Sequence, residues 1–244
     1  MPRERVDRLL VARGLAPSRT RARALIEAGK VFAAGVVLKS ASDLVAADVE
    51  LTLSELDHPY VSRGGLKLEG ALEDLQVEVR GLVVADIGAS TGGFTDCVLQ
   101  RGATRVYAID VGHGQLHEKL RTDARVIAQE GVNARELTGL PEPIDLVVVD
   151  ASFISLTKLL PALAPLLHSN GRLLALVKPQ FEVGPEHIGK RGVVSDDAQR
   201  ERALAEVVAA AATQALRFAA SANCRIEGPE GNREIFALFT RGSR

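Results

Sequence analysis

Tryptophan is absent from this chain of 244 residues, methionine occurs once, cysteine twice, and aromatic residues supply only 4% of the sequence. Cys97 and Cys224 lie far apart, and neither has a His or Cys at metal-ligand spacing. That excludes a disulfide framework and a zinc ribbon, and it fits a reducing, cytoplasmic setting. Also missing is any apolar run approaching the roughly 18 residues of a membrane span. The nearest stretch, residues 202–222, is interrupted by Glu206, Gln214 and Arg217 and suits a packed amphipathic helix. The opening Met1-Pro2-Arg3-Glu4-Arg5 lacks the apolar core of a signal peptide. A surplus of one charge is lacking as well. The 30 Lys and Arg against 31 Asp and Glu give a formal net charge of −1, which as an average counts against a polyanion partner.

What is present is an ordinary globular composition, 46% hydrophobic and 25% charged, in a length that allows two unequal domains. The average charge conceals a segregation. Residues 1–40 carry nine basic side chains against three acidic ones, or +6, whereas residues 41–80 carry three against nine, or −6. The remaining residues balance to −1, with 18 basic and 19 acidic.

In the basic block, Val6, Leu9 and Leu10 recur at helical spacing before Gly14, which predicts a short amphipathic helix with a glycine C-cap. Pro17 and Ser18 then start a second helix, whose apolar face is Ala22, Leu25 and Ile26 and which ends at Gly29. Short strands are predicted at 31–32, 36–38 and 49–53, with Gly35 turning the first pair. A cluster of arginines is as easily a solvated helix face as a phosphate-binding surface, since guanidinium forks match phosphate oxygens. Two helices, a hairpin, an arginine-rich second helix and the run Ala28-Gly29-Lys30-Val31 resemble the S-four-like RNA-binding module. That resemblance implies RNA contact through Arg3, Arg5, Arg19, Arg21, Arg23 and Lys30. A DNA-reading helix-turn-helix is the rival, but it would not run on into strands.

From Arg80 onward, apolar strand runs alternate with helical stretches, the pattern of a parallel sheet covered by helices. Strands are predicted at 82–87, 105–109, 125–128, 146–149, 172–177, 219–225 and 235–240, giving a doubly wound sheet whose edge carries an antiparallel strand. Ligands of such sheets bind at the carboxyl ends of the strands. The first strand ends in Asp86-Ile87-Gly88-Ala89-Ser90-Thr91-Gly92-Gly93-Phe94-Thr95-Asp96, a glycine-rich turn opening a helix. Position 90 is Ser where a dinucleotide fingerprint wants Gly, and the Gly-Lys-Ser/Thr of a phosphate loop is missing, which disfavours nicotinamide cofactors and ATP. Asp86 suits an amino group better than a pyrophosphate. Asp110 ends the next strand at an offset suited to ribose hydroxyls, and Asn133, after Gly131 and Val132, follows the third. An ammonium, a ribose and an adenine without phosphates describe S-adenosylmethionine. A single strand-end Asp is equally well explained as a helix cap; two around this loop are not.

Asp150, Lys178, Glu234 and Lys67 stand where apolar packing does not place them, although each alone is compatible with a surface ion pair or a cap. As a set they resemble the Lys-Asp-Lys-Glu tetrad of RNA 2′-O-methyltransferases of the FtsJ class. The surrounding runs 62–68, 86–96, 150–156 and 177–182 are similar to the TlyA family, whose members join an S-four-like module to an FtsJ-like methyltransferase and are often labelled haemolysins. The resemblance covers about residues 5–240.

It implies a small α+β RNA-binding domain at 1–58. After it, at 59–244, comes an α/β, Rossmann-like, seven-stranded S-adenosylmethionine-dependent methyltransferase domain. It implies cofactor contacts from Asp86, Gly88, Ala89, Ser90, Thr91, Gly92, Gly93, Phe94, Asp110, Asn133 and Asp150. The implied reaction is methylation of a cytidine 2′-hydroxyl in ribosomal RNA. Lys178 serves as general base, with Lys67, Asp150 and Glu234 positioning the hydroxyl. A free lysine, with a pKa near 10.4, is protonated at neutral pH, so such a base needs desolvation or a second cation beside it. No metal is implied, because a sulfonium is already a good leaving group. The chain ends ten residues after Glu234, as in the short members of the family, which act on the large subunit only. A membrane-lytic protein, a catalytically silent RNA-binding protein, and a methyltransferase of proteins or small molecules are the competing readings. The first needs an insertion segment that is not evident, the second discards an intact tetrad, and the third leaves the arginines idle.

Overall fold

The structure, a computed structural model, describes residues 3–16, 18–27, 29–53, 58–189, 192–228 and 231–242. Pro17, Ala28 and residues 54–57, just before the domain junction expected at 58/59, lie outside the described residues. The chain forms two compact units, Met1–Pro59 and Tyr60–Arg244.

The small unit runs β1 (Arg3–Arg5), α1 (Val6–Ala12), α2 (Arg19–Glu27), β2 (Val31–Ala33), β3 (Val36–Val37), β4 (Leu44–Ala46) and β5 (Leu51–Leu53). Val6, Leu9 and Leu10 of α1 and Ala22 and Ile26 of α2 are buried together against Val31 and Leu51. Both helices stop at glycines in the left-handed region: Gly14 has φ +70° and Gly29 has φ +69°. Ser18 caps α2 by accepting the Arg21 N–H at 3.2 Å. Ala34 and Gly35, at φ +48° and +80°, turn β2 into β3, and β5 pairs with the other edge of β2. β1 and β4, antiparallel with Arg3 opposite Ala46, are not foreshadowed by the sequence, because Arg3-Glu4-Arg5 has no apolar alternation to announce a strand.

The large unit begins with α3 (Gly64–Asp74) and continues β6 (Val83–Ile87), α4 (Gly93–Gln100), β7 (Arg105–Asp110), α5 (Glu118–Arg121) and β8 (Val126–Glu130). Then come β9 (Ile144–Val149), α6 (Leu160–Leu163), β10 (Leu167–Val177), α7 (Pro179–Glu182), α8 (Asp197–Ala212), β11 (Leu216–Asn223) and β12 (Ile235–Arg241). The seven strands form one sheet in the order β11-β12-β10-β9-β6-β7-β8. β12 is antiparallel to both its neighbours, so the antiparallel strand expected at the edge sits one position in from it. Of the stretch 202–222, read as suited to a packed helix, only the part up to Ala212 is helical; the chain turns through Ala215 at φ +57° and forms β11 from Leu216, three residues before the strand predicted at 219–225. The residues of β11 that pair with β12 outweigh alanine's helix propensity there.

Along β9 the side chains alternate between two apolar layers. Leu146 and Val148 join Leu68, Phe94, Val98 and Phe236 on one face, and Val147 and Val149 join Tyr107, Leu160, Leu163 and Val207 on the other. Each such buried side chain contributes roughly 1.5–3 kcal/mol. The strand order reverses between β6 and β9, so the crevice at their carboxyl ends is where this architecture leaves room for a ligand.

Candidate active site

Gly88 follows β6 at φ +81°, and a Cβ there would stand 2.7 Å from the carbonyl oxygen of Asp150. Only glycine therefore lets the ends of β6 and β9 come this close. Ser90 is also in the left-handed region, at φ +47°. Its N–H is held by Asp110 Oδ2 at 2.8 Å, and its hydroxyl donates to Gln115 Oε1 at 3.1 Å. The other Asp110 oxygen accepts the Gly112 N–H at 2.7 Å, so this carboxylate shapes two loops at once. Gly92, at φ +99°, opens α4.

These turns border a cavity of about 180 Å³ lined by Ser62, Gly64, Lys67, Gly88, Ala89, Ser90, Thr91, Gly93, Phe94 and Asp150. Asp86, Gly92, Asp110 and Asn133 are not part of its lining. Asp86 is fully buried beneath the loop. Its Oδ2 accepts the Thr95 hydroxyl at 2.6 Å, and its Oδ1 is buried without a partner. Burial pushes this carboxyl up to about 7, opposed by the Thr95 hydrogen bond and reinforced by Asp150 and Asp110. Asn133 caps a short turn, accepting the Arg135 N–H at 3.1 Å and donating to Glu136 Oε1 at 2.8 Å.

The four polar residues fall into two ion pairs. Lys67 on α3 reaches Glu234, just before β12, with Nζ to Oε2 at 2.5 Å. Lys178, just after β10, reaches Asp150, just after β9, with Nζ to Oδ1 at 2.6 Å. Lys67 and Asp150 line the same cavity. The side chains of Lys178 and Glu234 are 8% and 0% exposed, and Asp150, at 23%, is the member most open to the crevice. Desolvating an ion costs several kcal/mol, so two ion pairs this far withdrawn from solvent contribute little to stability. Glu234 Oε1 is a further buried acceptor without a donor. Among the described residues, no group of three or more His, Cys, Asp or Glu is placed to hold a metal ion.

Three contacts at this site have no sequence signal. The Ser152 hydroxyl accepts from Lys178 Nζ at 2.8 Å. Phe153, at φ +64° and 92% exposed, lies with its ring centroid 5.4 Å from that of Phe181. Glu182 bridges to Ser155 and Leu156.

In the small unit, Arg5, Arg19 and Arg23 converge on Asp7, whose side chain is completely buried. Arg5 donates from Nε and Nη2 at 3.0 and 3.1 Å, Arg19 Nη2 lies at 2.9 Å, and Arg23 Nε at 3.8 Å. The Arg5 hydrogen bonds, with Arg19 behind them, hold the Asp7 carboxyl well below the usual carboxylate range against the effect of burial. Arg13 donates to the carbonyls of Val49 and Ala47 at 2.5 Å each. Arg3 and Arg21 are exposed.

The S4 domain family matches residues 4–51, and the FtsJ-like methyltransferase family matches residues 60–241. The 16S/23S rRNA (cytidine-2′-O)-methyltransferase TlyA of Mycobacterium tuberculosis is 45% identical over 239 residues, 96% of this chain and 88% of that protein. The 23S rRNA (cytidine-2′-O)-methyltransferase TlyA of Campylobacter jejuni is 36% identical over 209 residues, 84% of this chain and 81% of that protein. A solved structure described as a candidate hemolysin from Streptococcus thermophilus superposes with a TM-score of 0.78 at 41% identity, covering 100% of this chain and 90% of that one. No helix among the described residues is long and apolar enough to cross a membrane. With its family match extending over nearly the whole large unit, the chain belongs to the FtsJ-like methyltransferases, and it carries an S4 domain before the methyltransferase region.

Proposed function

We propose that this protein transfers a methyl group from S-adenosylmethionine to the 2′-hydroxyl of a cytidine in ribosomal RNA, on the large subunit and in the cytoplasm. The observation that carries the reading is that two lysine–carboxylate pairs each send one member, Lys67 and Asp150, to the lining of one crevice at the switch point of the sheet. The two TlyA relatives, both of whose names specify 23S rRNA, support the choice of substrate.

The residues present fit the cofactor. The loop of Gly88, Ala89, Ser90, Thr91 and Gly93 offers backbone to a close-lying ligand, and a Cβ at Gly88 would close the approach to Asp150. Asp110, one turn away, keeps lone pairs for hydroxyl donors beyond the two N–H groups it accepts. Asp86 supports the loop from beneath through Thr95. S-adenosylmethionine supplies, when bound, an electrophilic methyl carbon on a good leaving group.

The chain's own residues then have to bring a poor nucleophile into line and take its proton. Only the neutral amine form of Lys178 has a lone pair for this, so the side chain fixed between Asp150 and Ser152 first gives its own proton to solvent and then accepts the 2′-hydroxyl proton. Asp150, at 2.6 Å, balances the ammonium that results. Lys67, held by Glu234, orients the hydroxyl oxygen from the other side of the crevice. The buried surroundings strengthen each of these interactions relative to water. Phe153 presents an exposed ring beside the crevice, a surface on which a nucleotide base stacks.

RNA capture falls to the small unit, through Arg3, Arg5, Arg19, Arg21, Arg23 and Lys30. The Asp7 anchor leaves Arg5, Arg19 and Arg23 with spare N–H groups for phosphate oxygens, since a guanidinium carries five. Incubation with labelled S-adenosylmethionine and unmodified ribosomal subunits, followed by nucleoside mass spectrometry, tests the reading. It predicts 2′-O-methylcytidine in 23S rRNA; label confined to protein, to bases or to no product contradicts it.

A further inference from the structure

The carboxylate of Glu182 takes no part in the chemistry above, yet it is half-buried four residues along the chain from Lys178. Burial raises it above the ordinary glutamate range, with hydrogen bonds from Leu156 and Ser155 opposing and Glu206 on α8 adding repulsion. Glu182 lies on α7, the helix that Lys178 caps. Its Oε1 accepts the Leu156 N–H at 2.9 Å, and its Oε2 accepts the Ser155 hydroxyl at 2.6 Å. Ser155 and Leu156 close the loop that begins at Asp150. That loop also contains Ser152, which meets Lys178, and Phe153, whose left-handed backbone persists only where its surroundings impose it.

The loop after β9 is thus fastened to the segment after β10 at both ends. Lys178 with Asp150 and Ser152 forms the near fastening, and Glu182 with Ser155 and Leu156 forms the far one. The near fastening is itself the reacting group and has to change charge during a turnover. The far one does not.

We propose that Glu182 is a positioning residue for methyl transfer. Its clamp on Ser155 and Leu156 keeps the Asp150 loop registered against Lys178 while the amine takes and gives up a proton. The inference rests on the function proposed above.

The test compares Glu182→Ala, Glu182→Gln and Val207→Ala in the full chain. Val207, buried on α8 in the same apolar layer as Leu156, serves as a control that lowers stability while leaving both Glu182 hydrogen bonds in place. Four quantities are read: kcat on ribosomal subunits at saturating S-adenosylmethionine, the Kd for the cofactor, the thermal midpoint, and amide exchange of residues 151–157. Glu182→Ala is expected to lower kcat by about 10- to 100-fold, as small misplacements of reacting groups do. The cofactor Kd should stay within about threefold, and exchange in 151–157 should speed up. Glu182→Gln, whose amide can accept from Leu156 and donate to Ser155, is expected to restore kcat to within about threefold of the native chain. Native kcat in Glu182→Ala, a loss matched by Val207→Ala at an equal thermal midpoint, or no rescue by Gln overturns the clamp. A native chain that methylates no RNA overturns the proposed function instead, and the clamp's catalytic purpose with it, whatever the exchange data show.

Discussion

Lys178 Nζ stands 2.6 Å from Asp150 Oδ1 and 2.8 Å from Ser152 Oγ, so the amine at the end of β10 is gripped by the loop at the end of β9. Two neighbouring strands of a parallel sheet thereby deliver a base and its counter-charge to one point. Removing the hydroxyl leaves the ion pair but frees the amine to rotate. Ser152→Ala is expected to lower kcat about three- to tenfold while cofactor affinity is unchanged, as measured by steady-state methylation and calorimetry. An unchanged kcat contradicts a positioning role for Ser152.

Gly88 tolerates no side chain, for reasons of both backbone and space. A left-handed residue with a Cβ costs about 1–2 kcal/mol, and here the Cβ would also press on the Asp150 carbonyl. Gly88→Ala should raise the Kd for S-adenosylmethionine at least tenfold and lower the thermal midpoint. Native cofactor affinity in that variant would mean that the loop does not cradle the ligand.

Asp86 makes stability depend on pH in a defined window. Its folded value of about 7 lies above the roughly 3.9 of an unfolded Asp. Between those values the folded state holds a proton that the unfolded state has released. Stability therefore falls as pH rises from about 4 to 7 and levels off above. Asp86→Asn should remove this share of the slope in calorimetric scans across that range; an unchanged slope assigns it elsewhere.

Asp7 has the opposite sign. Its folded value is depressed by Arg5 and Arg19, so its contribution is present above about pH 4 and is lost as the pH falls below that. Asp7→Asn should destabilise the full chain by about 1–3 kcal/mol at neutral pH, read by urea unfolding, because it loosens three guanidinium groups from their shared acceptor.

Arg21, exposed on α2, is expected to act on RNA alone. Arg21→Ala should weaken binding to ribosomal subunits and reduce the slope of log K against log salt by about 1, with cofactor affinity and stability unchanged. An unaltered salt slope would remove Arg21 from the RNA surface.

The glycine loop and the polar residues at strand ends were legible in the sequence because each follows an apolar run, as Asp150 follows Leu146-Val147-Val148-Val149. Local pattern suffices to locate such positions. Ser152 and Glu182 were not legible, since what makes them matter is a contact spanning 26 or 27 residues between neighbouring strand ends. Asp7 read as one more charge in a mixed block; its burial beneath three arginines appears only once α1 and α2 pack. The insertion of β12 between β10 and β11 was likewise invisible, because strand composition carries no record of which neighbour a strand pairs with.

Methyl transfer turns on the Lys178 amine, and the most direct measurement is the single-turnover rate on unmodified ribosomal subunits of the native chain and of Lys178→Ala. The predicted result is a loss of at least about 100-fold in the variant with the cofactor Kd within about threefold of native, the signature of a lost proton acceptor. A variant that transfers methyl groups at a rate within about threefold of the native chain contradicts the assignment of Lys178 as the base.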